Sequence, residues 1–128
     1  MPQSFSRRGD PYVAQVEVTA GLLVKRLPAG TPWTLCYQSR VGPVRWVRPY
    51  TDELLVRLGK DGVRAVLMVP LTFVADHVET LDEMDIRLRD IALRAGITDF
   101  RRVPALNDDP AFIAALAALV RRRLAQVP

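Results

Sequence analysis

The sequence is short of the residues that most often carry chemistry. It has one cysteine, Cys36, and one histidine, His77. A single cysteine excludes an internal disulfide and any cluster of cysteine ligands, so no iron–sulfur cluster is expected. It also fits a reducing compartment. Lysine is scarce as well, with only Lys25 and Lys60. The net charge of +4 therefore comes from arginine, and Arg7-Arg8, Arg101-Arg102 and Arg121-Arg122-Arg123 are spread along the chain. A basic balance favours anionic partners: nucleic acid, a membrane surface or an acidic small molecule. Scattered arginines without interleaved exposed aromatics argue against a nucleic-acid surface. Long apolar runs are also lacking. The longest, residues 111–120, is too short to span a bilayer, which takes about 20 residues. Residues 1–12 have no apolar core of a targeting segment, so a cytoplasmic location is expected. There is no Walker loop, GxGxxG, paired CxxC or nucleophile elbow.

What is present reads as one α/β domain of 128 residues. Residues 1–9 are polar and expected to be an irregular tail. Val13, Val16, Ala20, Leu23 and Leu27 recur at helical spacing, after Asp10 as N-cap and Pro11 at the first helical position. Residues 33–37 read as a short buried strand. Thr51 can cap a second helix carrying Leu54, Leu55 and Leu58 and closed by Gly59 or Gly62. The continuous apolar run 65–69 predicts a parallel strand covered on both faces. A third helix is expected over 77–95 with Gly96 as its stop, then a weaker strand over 100–103. Asp109-Pro110 opens a last helix to about residue 125. This alternation points to a parallel sheet flanked by helices, with three strands and four helices. In such sheets chemistry gathers beyond the carboxyl ends of the strands, which here means loops 38–49, 70–76 and 104–109.

The candidate residues lie in or beside those loops. His77 is followed by Glu79, and Glu79, Glu83 and Arg87 form a stripe at i, i+4 and i+8. A histidine with carboxylates at a helix start can hold a divalent cation or move protons. The same residues also suit a capping box at Asp76 and Glu79, acid complementing the helix dipole, and a Glu83–Arg87 ion pair. Spacing alone leaves both readings open. Trp46 can stack on a flat ligand or pad its loop. Arg40 and Arg45 can pair with carboxylates of an acidic ligand or remain solvated. Arg121 to Arg123 suit the end of a helix, where cations offset the dipole.

Taken together, several strings resemble ferrochelatase. They are Gly9-Asp10-Pro11-Tyr12 with Gln15, Gln38-Ser39-Arg40-Val41-Gly42-Pro43 with Trp46 and Pro49, and Pro70 with Phe73. Then come Asp76-His77-Val78-Glu79-Thr80-Leu81 with Asp85-Ile86, and Arg101-Arg102 with Leu106-Asn107. The set is ordered, correctly spaced and runs from about residue 9 to 120. The resemblance implies a flavodoxin-like chelatase domain over 10–128 and insertion of ferrous iron into a porphyrin, protoporphyrin IX or coproporphyrin III, in haem biosynthesis. Iron is then a substrate, with no tightly bound cofactor. Glu79 and His77 would be catalytic, Glu79 and Glu83 would meet the metal, and Trp46, Ser39, Arg40 and Pro43 would line the porphyrin site. Two departures stand out. Arg87 occupies a place that is usually acidic in the family, where a cation repels Fe²⁺. The family's own metal histidine, in a Ser-Phe-His-Gly-like string before Gly-Asp-Pro-Tyr, has no counterpart here. The resemblance therefore implies a carboxy-terminal half without its amino-terminal domain or first strand, with little or no activity alone. Its partner would be the missing half or a second copy of the chain. A small homodimeric chelatase and a basic non-enzymatic binding module are the alternatives.

Overall fold

The computed structural model describes residues 1–38 and 40–127. Along the chain come α1 (Gln3–Arg7), α2 (Tyr12–Val24), α3 (Thr51–Lys60), β1 (Ala65–Met68), a π-helix (Glu79–Leu88) running directly into α4 (Arg89–Arg94), β2 (Asp99–Arg102) and α5 (Pro110–Leu124). The fold is α/β. Strands β1 and β2 pair in parallel, with Ala65 opposite Asp99 and Met68 opposite Arg102.

Several local signals act as expected. The Asp10 carboxylate accepts the Tyr12 N–H at 2.9 Å. Asp109 accepts the N–H groups of Ala111 and Phe112 at 2.9 and 3.1 Å, with Pro110 at the first helical position. Gly96 closes α4 at φ 96°, a conformation that costs other residues a Cβ clash.

Four expectations are corrected. Residues 33–37 form no strand; only Tyr37 makes a bridge, parallel, to Tyr50. A strand needs a neighbour's donors and acceptors, and among the described residues β1 and β2 pair only with each other. The β1 strand is not covered on both faces. Val66 and Met68 pack on the core, whereas Leu67 on the other face is 63% exposed. Thr51 is not a cap. It is the first residue of α3, and its buried hydroxyl turns inward to donate to Cys36 Sγ at 3.4 Å. Residues 1–9 are not irregular throughout, since α1 forms there and is tied to loop 38–49. The Gln3 N–H donates to the Arg45 carbonyl at 2.8 Å and the Val47 N–H to the Met1 carbonyl at 3.1 Å.

The core sits on one face of the small sheet. Leu55 of α3, Met84 and Leu88 of the π-helix, Ala92 of α4, Ile97 and Phe100 form it. Thr80, Met84, Leu88 and Ala92 are buried at every fourth residue. An ideal α-helix would rotate such a stripe by about 40° per step. Over Glu79–Leu88 the chain adopts the wider π winding, which turns a four-residue stripe in the opposite sense, and α winding resumes at Arg89; π winding is frequent at functional sites. Gly59 lets α3 press against the end of α4. A Cβ there would lie 2.2 Å from the Ala95 carbonyl oxygen, and that oxygen cannot retreat cheaply.

Two outcomes follow for the isolated chain. Gly59→Ala should lower stability by about 1–3 kcal/mol in urea unfolding, through overpacking; an unchanged midpoint would mean the helices part easily. Hydrogen exchange should be faster at the amides of 33–36 than in β1 and β2, and equal protection would contradict the missing strand.

Candidate functional site

The site is built at the carboxyl end of β2 and the loop after β1. Arg102, the last residue of β2, is 10% exposed at its side chain. Its guanidinium grips Asp85 of the π-helix through two bonds, Nε to Oδ1 at 2.6 Å and Nη2 to Oδ2 at 2.8 Å. A third contact runs from Nη1 to Asp76 Oδ1 at 3.0 Å. This planar, bidentate geometry is one that arginine provides and lysine cannot. Asp85 foremost, and Asp76 after it, hold the Arg102 pKa above its already high ordinary value.

Asp76 is the hub of the adjoining loop. Its N–H donates to Asn107 Oδ1 at 2.8 Å, and Asn107 Nδ2 donates back to Asp76 Oδ2 at 2.9 Å. Donation from the Asn107 amide is the main reason the Asp76 carboxyl lies below the usual carboxylate range; Thr80 and Arg102 push the same way. The fully buried Thr80 hydroxyl accepts the His77 N–H at 2.9 Å. Its single proton has Asp76 Oδ1 at 3.1 Å and the His77 carbonyl at 2.9 Å as acceptors. Asp76 and Glu79 therefore do not form the expected capping box. Thr80 supplies the local side-chain acceptor instead.

His77 is fixed by this frame and by Phe73, whose ring meets it edge-on at 4.6 Å between centroids. Its Nδ1 lies 3.1 Å from the Glu79 N–H and 3.3 Å from Glu79 Oε2. These contacts suit two different protonation states. An unprotonated Nδ1 accepts the amide, which puts the neutral ring's proton on Nε2. A protonated Nδ1 meets the carboxylate. Both side chains remain partly open to solvent, His77 at 36% and Glu79 at 43%.

Beside this pair lies a cleft of about 360 Å³, lined among others by Gln38, Arg40, Trp46, Tyr50, Glu83 and Arg87. Gln38 joins the two sites. Its Nε2 donates to the Glu79 carbonyl at 3.1 Å and lies 3.3 Å from Glu83 Oε2. The Glu83 carboxylate also forms an ion pair with Arg87. Trp46 lines the cleft while its indole N–H donates to the Val41 carbonyl at 3.0 Å. Arg40 pairs with Asp52 and Glu53 and lies over the Tyr50 ring. Burial pushes the Cys36 thiol pKa up.

The structure thus brings together His77 with Glu79, and separately Trp46, Arg40 and Glu83. Pro43 is exposed and does not line the cleft. Ser39 lies outside the described residues. Among the described residues no group of three or more histidine, cysteine, aspartate and glutamate side chains is arranged to hold a metal ion. No helix is long and apolar enough to cross a membrane. Gln38, Thr80, Arg102 and Asn107 had no role assigned from sequence. Gln38, Arg102 and Asn107 find partners 17 to 45 residues away, so local spacing carries no trace of them, whereas Thr80 bonds within four residues.

Acid should test the Asp76 hub. A carboxyl with a lowered folded-state pKa contributes stability that is present above its unfolded value and lost as pH falls through the folded one. Unfolding titrations should show wild-type stability falling below about pH 4. Asp76→Asn should be less stable at neutral pH and should flatten that acid limb. An identical limb in the variant would remove Asp76 from the balance.

Comparison with known proteins gives a consistent result. The family model for ferrochelatase matches residues 1–124. The ferrochelatase of Synechococcus sp. (strain RCC307) is 53% identical over 126 residues, covering 98% of this chain and 33% of that protein. The ferrochelatase of Synechocystis sp. is 50% identical over 129 residues, covering the whole of this chain and 33% of its own length. That of Thermosynechococcus vestitus is 47% identical over 129 residues, again covering 33% of the relative. The chain spans about a third of the length of these relatives.

Proposed function

Because the chain belongs to the ferrochelatase family, we propose that it contributes the His77–Glu79 part of a site that inserts ferrous iron into a porphyrin. The observation that carries this reading is the pairing of an imidazole and a carboxylate at 3.3 Å at the head of the π-helix, linked through Gln38 to an open cleft. Iron insertion requires two pyrrole N–H protons to leave and the metal to shed water. The two protonation settings of His77 supply what that needs. The neutral ring holds its one lone pair, on Nδ1, against the Glu79 N–H, and taking a proton there exchanges that bond for one to the Glu79 carboxylate. Glu79 is also open enough to take a proton directly. Gln38 holds the Glu79 backbone from the cleft side, so the pair keeps its place as charge changes.

The outer, metal-facing role of Glu83 is narrower. Arg87 neutralises it and places a cation on the stripe, so we assign Glu83 to proton exchange or to orienting Gln38 rather than to a second metal position. Arg40 and Trp46 suit the acidic groups and flat face of a porphyrin, respectively. Porphyrin and ferrous iron are the substrates, and no resident cofactor is required. The remaining part of the site would come from the region corresponding to the other two-thirds of the relatives' length. The exposed Leu67 and Val69 on the open side of the sheet are apolar surface that such a partner would cover. A basic binding module is disfavoured because Arg40, Arg48, Arg87, Arg94, Arg101 and Arg102 are each paired with an acid.

The test mixes the chain with a polypeptide covering the remaining length of a relative, supplies porphyrin and Fe²⁺ without oxygen, and follows haem absorption. Haem should form in the mixture and scarcely in the chain alone. Glu79→Gln should slow it by about 10²–10⁴-fold, the range for a lost general base. Haem from the chain alone, at a rate rising with the square of its concentration, would replace the partner by a second copy. A mixture that binds both substrates but makes no haem would sink the reading.

A further inference from the structure

We infer that Asn107 is a positioning residue for the His77–Glu79 pair, acting through a two-point latch onto Asp76. The inference rests on the reading of that pair as the site. It starts from the backbone. Among the described residues, Asn107 is the one non-glycine position with positive φ, at 47°. Elsewhere the chain uses glycine for that conformation, at Gly9, Gly30, Gly42, Gly62 and Gly96. Glycine at 107 would adopt the same backbone without a Cβ penalty. Asparagine tolerates it less well than glycine, so its side chain must supply something in return.

That side chain closes a reciprocal pair with the residue immediately before His77. Oδ1 accepts the Asp76 N–H at 2.8 Å, and Nδ2 donates to Asp76 Oδ2 at 2.9 Å. The Asn107 backbone adds a third tie, donating its own N–H to the Val74 carbonyl at 2.8 Å. The left-handed turn is what lets main chain and side chain reach the same short loop. The far side of Asp76 then faces Arg102 and Thr80, and the Thr80 hydroxyl accepts the His77 N–H. Asn107 thus closes the loop side of a clamp whose helix side is Arg102 on Asp85. Among the described residues the hydrogen bonds of Asn107 go to Asp76, Val74 and Ala105 and none to His77 or Glu79, so it orients them through Asp76.

The latch has a chemical signature that can be exchanged. Asn107→Asp keeps the acceptor for the Asp76 N–H but loses the amide donor and sets two carboxylates against each other. The double variant Asp76→Asn with Asn107→Asp returns a donor–acceptor pair with its polarity reversed. It also leaves an Oδ1 at position 76 for Arg102 and Thr80.

The experiment uses the isotope-labelled 128-residue chain. Its single histidine makes the imidazole resonances unambiguous. In Asn107→Asp and in Asn107→Gly the His77 ring signals should move toward those of a free imidazole as the Phe73 edge contact and the Nδ1 hydrogen bond loosen. Amides of β1, β2 and α3 should stay in place. The double variant should return the ring signals to the wild-type positions. Affinity for Co²⁺, as a probe for ferrous iron, should fall about 10–100-fold in the single variants and recover in the double one. Unmoved His77 signals in both single variants would overturn the inference. So would collapse of the sheet amides along with them, because Asn107 would then hold the fold rather than the site. Failure of the double variant to restore the ring would overturn the reciprocal latch. If wild type binds no Co²⁺ while the ring signals still respond and recover, the functional reading fails and the positioning role stands.

Discussion

Arg102 is the constraint on which the rest depends. A largely buried guanidinium has five N–H groups to satisfy, and here two carboxylates from different segments take three contacts and the Val103 carbonyl a fourth. Asp85 belongs to the π-helix and Asp76 to the loop before it, so one side chain at the end of a strand sets where that helix begins. Removing either acid would leave a poorly solvated cation underserved, which is costly in a way that losing an exposed ion pair is not. The exposed Arg94–Asp90 pair is an instance of the latter.

The helix so placed is divided by its own winding. Thr80, Met84, Leu88 and Ala92 go into the core. Glu79, Glu83 and Arg87, each one position earlier, fall on a neighbouring strip beside Gln38 and the cleft. Gln38 touches this strip at the Glu79 carbonyl and at the Glu83 carboxylate. Within it Arg87 converts what would be an acidic track into an ion pair, which concentrates the exposed acid–base chemistry on His77 and Glu79.

Much of the fold was legible in local signals because those signals act within a few residues. Asp109 with Pro110, Asp10 with Pro11, and Gly96 each satisfy or stop a helix without reference to the rest of the chain. The failures occurred where a distant partner decides. The segment 33–37 has the composition of a strand, but pairing depends on a neighbour, and it makes only the Tyr37 bridge. Thr51 has the right position for a cap, but its hydroxyl found Cys36, fifteen residues back, and was drawn into the interior. The change from α to π winding left no mark in the spacing, because buried residues four apart suit an ordinary α-helix.

By itself the sequence determined which groups were available. One histidine, a carboxylate two residues on, a tryptophan and arginines in the loops, and no second cysteine bound the chemistry, and the order of motifs carried the resemblance to a family. Only the tertiary structure decided how those groups are held. It separated His77 and Glu79 from the Trp46 cleft and linked them through Gln38. It also set His77 between an amide and a carboxylate, and gave Asn107 and Arg102 their places around Asp76. The physical reason is that hydrogen bonds and ion pairs depend on distance and direction in space, and residues 17 to 45 positions apart in the chain meet only after the strands and helices have packed.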